Sequence, residues 1–297
     1  MTVLREFWHK KHLYLFLIPT FTLLIIFSYY PPLFAIYNSF FQWNGFSARV
    51  FIGITNYVQL FQDARFVGSI GNLLILLGWS LAIGLSVPLI VAELIFNLKS
   101  SKASYFYRLM FILPMVVPGL VGTFLWRFIL DPNVGLLNLI LEAIGGPEWR
   151  QPWLGGTRTA LISFMIMGFP WVGGTSVLIY LAGLQGISNE VIDAASIDGA
   201  VGMTRFLRID LPLVMGQVKL MLILGVIGGL QAFTSQLVLT NGGPGYATMM
   251  PGLVMYQEAF QYNRIGYANA IGVITFLVIL FFTFLNMKYV RSSAEYY

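Results

Sequence analysis

Six stretches of this chain, residues 13–39, 72–96, 109–130, 160–182, 213–239 and 266–287, are predominantly apolar over at least 22 residues each. A helix rising about 1.5 Å per residue crosses the roughly 30 Å hydrocarbon core of a bilayer with about 20 residues. Lipid offers no water to an exposed backbone, so an apolar segment there must close its own hydrogen bonds as a helix. The predicted fold class is therefore an all-α integral membrane protein with six transmembrane helices. The connecting segments are too short for a separate globular domain, which leaves residues 1–297 as one transmembrane domain. Charged residues make up 10% of the chain, against about 25% in soluble proteins. The first stretch is preceded by His9, Lys10, Lys11 and His12. It is long and no small-residue cleavage site follows it, so it reads as an uncleaved first helix and not as a removed signal peptide.

The net charge of +5 would suit a nucleic-acid partner only if the cations clustered on one surface. Instead they segregate by side. Arg5, Lys10, Lys11, Lys99, Lys102, Arg108, Arg205, Arg208, Lys219, Lys288 and Arg291 fall on one side of the predicted spans, and Arg49, Arg65, Arg127, Arg150, Arg158 and Arg264 fall elsewhere. This split of eleven to six places both termini and the segment after the fourth span in the cytoplasm, with no nucleic acid as partner. The absence of cysteine excludes disulfides, thiolate catalysis and cysteine-based zinc sites. His9 and His12 are the only histidines, so no Ser/His or metal-ligand pair is available inside the bilayer, and their spacing reads as two solvated flanking side chains. No Gly-x-x-x-x-Gly-Lys phosphate loop occurs, and Gly-Lys is absent altogether. The chain is predicted to be no enzyme and to carry no cofactor or metal.

An ion-coupled secondary transporter for a small polar solute, the alternative reading, would need an acidic residue near the centre of a span. None lies there. Glu93, at the end of the second span, reads as an interfacial structural carboxylate, and Arg127 as an anchor at the outer interface. Break signals concentrate in four spans. The first carries Pro19 and the pair Pro31 and Pro32, of which the pair bends or ends it near the outer surface, and Pro114, Pro118 and Gly119 bend the third. The fourth carries Gly168, Pro170, Trp171, Gly173, Gly174, Thr175 and Ser176 at mid-membrane, where lipid-facing helices carry Leu and Val. The fifth begins after Pro212, contains Gly225-x-x-x-Gly229 for close packing, and ends with Gln231, Phe233, Thr234, Ser235 and Gln236. The segment 131–158 reads as turns on the outer face.

Between the fourth and fifth spans the chain reads Asp193, Ala194, Ala195, Ser196, Ile197, Asp198, Gly199, then nine residues, then Ile209, Asp210, Leu211, Pro212. This stretch resembles the E-A-A, three residues, Gly, nine residues, Ile-x-Leu-Pro signature of permease subunits of binding-protein-dependent ABC importers, with Asp193 in place of the usual Glu. The resemblance implies a type I importer permease fold in the cytoplasmic (inner) cell membrane. It also implies ATPase subunits docked on residues 188–212, a second and different permease chain, an extracytoplasmic solute-binding protein, and alternating access driven by another chain's ATP. The coupling residues it implies are Asp193, Ala194, Ala195, Asp198, Gly199, Arg205, Phe206, Ile209, Leu211 and Pro212. Local chemistry agrees with a docking element. Ser188 is an N-cap residue for a helix over 189–200, small Ala194, Ala195 and Ser196 keep one face low, and Gly199 permits a turn. A second piece, 203–209, leads to Pro212. An amphipathic helix on anionic lipid would require neither the nine-residue spacing nor the Ile-x-Leu-Pro ending.

Three further stretches narrow the resemblance to the carbohydrate-uptake branch. Leu239, Thr240, Asn241, Gly242, Gly243 and Pro244 are similar to the L-T-x-G-G-P exit of the fifth span in maltose-type permeases. Residues 182–185 repeat its A-G-L-Q run, and Phe51 to Tyr57 resembles an F-x-G-x-x-N-Y stretch of sugar permeases. A sugar presents hydroxyls around apolar ring faces, so its site combines hydrogen-bonding side chains with aromatic plates. The predicted substrate-binding residues are Trp171 and Phe233 as plates, and Ser176, Gln231 and Gln236 as polar groups.

Overall fold

In the computed structural model residues 14–289 are described. Arg5, Lys10, Lys11 and Arg291, on which the reading of the termini partly rests, lie outside them, as do His9 and His12.

Helix α1 spans Ile18–Asn38. Pro31 and Pro32 cannot donate backbone hydrogen bonds, and the ladder widens just before them into a π turn, Ile25–Tyr29. The pair therefore does not end the helix. After α1 come a two-stranded hairpin, β1 Phe41–Gln42 and β2 Val50–Phe51, and α2 Thr55–Gln62. Helix α3, Ala64–Phe96, is 33 residues long. Next come α4 Ser101–Ile112 and α5 Gly119–Ile129, bent by 91° across a 3-10 turn and the extended Val117. Ser100 caps α4 by accepting from the Ala103 N–H at 3.3 Å. The bend is the one that Pro114 and Pro118 predict. Residues 131–158 then contain a ten-residue helix, α6 Leu136–Gly145, where turns alone were expected.

Residues 160–182 do not form one helix. They are split into α7 Thr159–Ile166 and α8 Gly174–Gln185, each shorter than a span. Then come α9 Asn189–Ile197 and a helical stretch of Met203–Arg205, a π turn Phe206–Asp210 and Leu211–Leu213. Helix α10 is Met215–Gln231, α11 Thr234–Leu239, α12 Pro251–Phe260 and α13 Ile265–Tyr289. Pro212 lies in the short turn ahead of α10, which starts after a break at Val214. Among the described residues four helical segments are long and apolar enough to cross a membrane, or five with the bent α4–α5 pair, in place of six unbroken ones.

The described residues divide into two compact units, one of 64–254 with 275–289 and one of 14–63 with 255–274. In the latter, the Phe51 to Tyr57 stretch is a fastener. Asn56 Nδ2 donates to the carbonyls of Ser39 at 2.8 Å and Phe41 at 3.0 Å, and the Tyr57 hydroxyl bonds Ser39 Oγ at 2.6 Å. In the larger unit, Leu89, Ala92 and Ile95 of α3 pack with Val177, Tyr180, Leu181 and Leu184 of α8 and with Val214. Gly225 and Gly229 let α10 come close to α3: a Cβ there would lie 2.7 Å from Leu81 Cδ2 and 2.5 Å from Leu77 Cδ1 respectively. Ahead of α6, Asp131 accepts backbone N–H bonds from Val134 at 3.0 Å and Asn133 at 2.8 Å. Those bonds to its charged form hold its carboxyl below the usual carboxylate range.

Candidate functional site

Two breaks in helical backbone meet at one cavity. Between α7 and α8 the chain turns through Gly168 at φ 85° and Trp171 at φ 57°. Trp171 and Trp79 of α3 hold this turn together: both indole N–H groups donate to the Met165 carbonyl, at 3.1 and 2.8 Å, and their rings meet edge to face at 5.8 Å. The carbonyl has two lone pairs, so one acceptor can fix both indoles. The second break is at Ala232, extended between α10 and α11. The cavity encloses about 440 Å³ and is lined by Trp79 and Ser80, by Met165 and Trp171, and by Phe233, Thr234, Ser235 and Gln236 among others, with no charged side chain. Gln236 is 6% exposed. Among the described residues its amide has no hydrogen-bond partner.

Of the five predicted binding residues, three line this cavity: Trp171, Phe233 and Gln236. Ser176 lies farther along α8, outside the lining, and the exposed Gln231 turns its amide back onto the Ile227 carbonyl of its own helix at 3.1 Å. Trp79 and Ser80 were missed. Their signal was the run Gly78, Trp79, Ser80 inside an otherwise aliphatic span.

The 188–212 loop divides into an outer face and an inner anchor. Helix α9 ends three residues earlier than predicted, in a Schellman closure: Ala200 N–H donates to the Ala195 carbonyl at 2.8 Å and Gly199 N–H to the Ser196 carbonyl at 3.2 Å. Gly199 has φ 74°, the left-handed conformation that this closure requires and a β-carbon resists. Ser188 occupies the N-cap position without a side-chain capping bond. Asp193, Ala194, Asp198, Gly199 and Pro212 are exposed, and Ile209 is half-buried. Ala195 is buried, so it does not keep an outer face low as the sequence suggested. Beside the exposed set stand Ile197, 86% exposed, with Val201, Met203 and Leu207, an apolar patch on a polar segment.

Arg205, Phe206 and Leu211 face inward. Phe206 and Leu211 pack against the α3–α8 core. Arg205 donates from Nε to Asp210 at 2.9 Å and from Nη2 to Asn97 at 2.6 Å, and lies 3.5 Å from Glu93. Glu93 thus belongs to an ion-pair cluster.

The family described as "Binding-protein-dependent transport system inner membrane component" matches residues 84–294, a stretch that includes both the loop and most of the cavity lining. The chain belongs to this family. It is an inner membrane component, a permease and not an enzyme. Similar proteins include the probable ABC transporter permease YurN of Bacillus subtilis, 32% identical over 95% of this chain and 97% of its own. Another is the multiple sugar-binding transport system permease MsmF of Streptococcus mutans, 32% identical over 96% of each chain. The permease's fold is also that of a chain in the crystal structure of a bacterial ABC transporter involved in import of the acidic polysaccharide alginate. That likeness has a TM-score of 0.83 at 23% identity, covering 98% of this permease and 100% of that chain. The permease therefore has the type I ABC importer fold.

Proposed function

We propose that this permease is one half of the membrane pathway of an ATP-driven importer that moves a neutral sugar or oligosaccharide across the cell membrane by alternating access. The observation that carries the reading is the uncharged cavity framed by two helix breaks. Its volume falls in the range of about 300–1,000 Å³ usual for small-molecule sites. Trp171 and Phe233 offer apolar plates to sugar rings, and Gln236 brings a buried amide whose hydrogen bonds a sugar hydroxyl would complete. An anionic ligand held in such a site without a cation would lose its hydration uncompensated. No Arg or Lys lines the cavity, so the substrate is neutral, unlike the acidic polysaccharide of the alginate importer. The sugar-binding name of MsmF supports the substrate class.

In this reading the chain crosses the membrane six times with both termini in the cytoplasm, the α4–α5 and α7–α8 pairs each making one broken crossing. Residues 188–212 are gripped by an ATPase subunit through the exposed Asp193, Ala194, Asp198 and Gly199 and the neighbouring Ile197. A different permease chain completes the pathway beneath an extracytoplasmic binding protein. Reconstituting this permease with its sister permease, ATPases and binding protein tests the proposal. Accumulation of labelled neutral oligosaccharide should require ATP and persist when ion gradients are dissipated. Uptake that follows an ion gradient without ATP would contradict it.

A further inference from the structure

The signature spacing counts Arg205 among the residues that meet the ATPase, but its surroundings give it a different task. Its side chain is 15% exposed, its guanidinium lies over the Phe96 ring at 5.8 Å, and its partner Asp210 is fully buried. Glu93 and Phe96 belong to the cytoplasmic-side end of α3 and Asn97 follows it directly, its Nδ2 also donating to Glu93 Oε1 at 2.7 Å. One cation therefore ties two carboxylates and an amide from two separate elements. Phe206 and Leu211 hold the same two elements together by apolar packing, but apolar packing is non-directional and can slide. The rigid fork of an arginine bonded at both Nε and Nη2 fixes one register.

Helix α3 continues from this cluster, past its interior Pro88, to the cavity, where it supplies Trp79 and Ser80. We propose that Arg205, Asp210, Glu93 and Asn97 form the joint through which displacement of the loop is delivered to α3 and so to the cavity wall. Arg205 is a positioning residue, not a docking one. The inference rests on the reading that the loop is gripped by an ATPase.

Removing Arg205 alone would strand two carboxylates in a poorly solvated site, so the informative variant neutralises the whole cluster: R205M/E93Q/D210N. In the assembled importer this variant should co-purify with the ATPase and hydrolyse ATP as the wild type does. Its uptake per ATP should fall about tenfold or more, the size of an ordinary coupling free energy. R205K, which keeps the charge and loses the fork, should show a smaller split in the same direction. Uptake at the wild-type level in the neutralised variant would overturn the inference. Loss of ATPase co-purification would also overturn it, by making Arg205 a docking residue. Failure of both variants to fold would make the cluster a folding element and overturn it as well. If the wild-type permease itself failed to co-purify with an ATPase, the underlying reading would fall instead.

Discussion

The variant I197D is expected to insert and fold normally and to lose ATP-dependent uptake. Ile197 is 86% exposed on the last turn of α9, so aspartate there breaks nothing within this chain. A partner groove changes the balance. Burying an isoleucine contributes about 1.5–3 kcal/mol, and forcing an unpaired carboxylate into the same groove adds a further penalty. At about 1.4 kcal/mol per factor of ten, the affinity for the ATPase should drop about a hundredfold or more. Capture of the ATPase by tagged permease, with uptake measured at matched expression, checks this. Undiminished capture would mean that the apolar patch of Ile197, Val201 and Met203 faces no protein. Aspartate at Ala195 makes the contrast: that residue is buried, so A195D should lower expression and thermal stability before any question of docking arises.

The second large effect belongs to Gln236. Q236L nearly preserves shape and removes an amide that lines the cavity and makes no hydrogen bond to the described residues, so the permease itself should stay about as stable. A sugar hydroxyl left without its bond to the amide costs about 1–3 kcal/mol, which raises the half-saturating substrate concentration about 5- to 150-fold. W171A should act similarly, because the indole is both a plate and, through Met165, one of the two groups holding the α7–α8 turn. Q231L and S176A, which alter residues outside the cavity lining, should leave transport within about twofold, the scale of ordinary surface substitutions. Equal losses across all four variants would mean that the cavity is not the substrate's path.

Sequence and structure part company at the helix breaks. Apolar length identifies where membrane-crossing segments lie, but it averages over residues 167–173, so the division of the fourth stretch into two short helices is invisible to it. The Gly and Pro punctuation there carried the information. The same holds for Pro114 and Pro118, whose missing donors foretold the bend of α4 against α5. Proline did not have one fixed effect, however: at Pro31 and Pro32 a π turn absorbs the lost bonds and the helix continues. The docking signature was legible as spacing, yet spacing does not say which side chains point inward. Arg205 reads as a surface charge until Glu93 and Asn97, over a hundred residues earlier in the chain, are seen beside it. Trp79 escaped for a related reason. An indole in a long apolar run looks like packing, and only its shared acceptor at Met165 marks it as part of the cavity wall.

The chain contains no cysteine, so D198C creates a single thiol on the exposed end of α9 without altering the cavity or the Arg205 cluster. Labelling it with a membrane-impermeant maleimide in right-side-out and inside-out vesicles, with and without the ATPase, tests whether the segment before the fifth span is held by a motor inside the cell. Modification is expected only in inside-out vesicles, with protection once the ATPase has assembled. Modification from the outer face, or labelling indifferent to the ATPase, would contradict it.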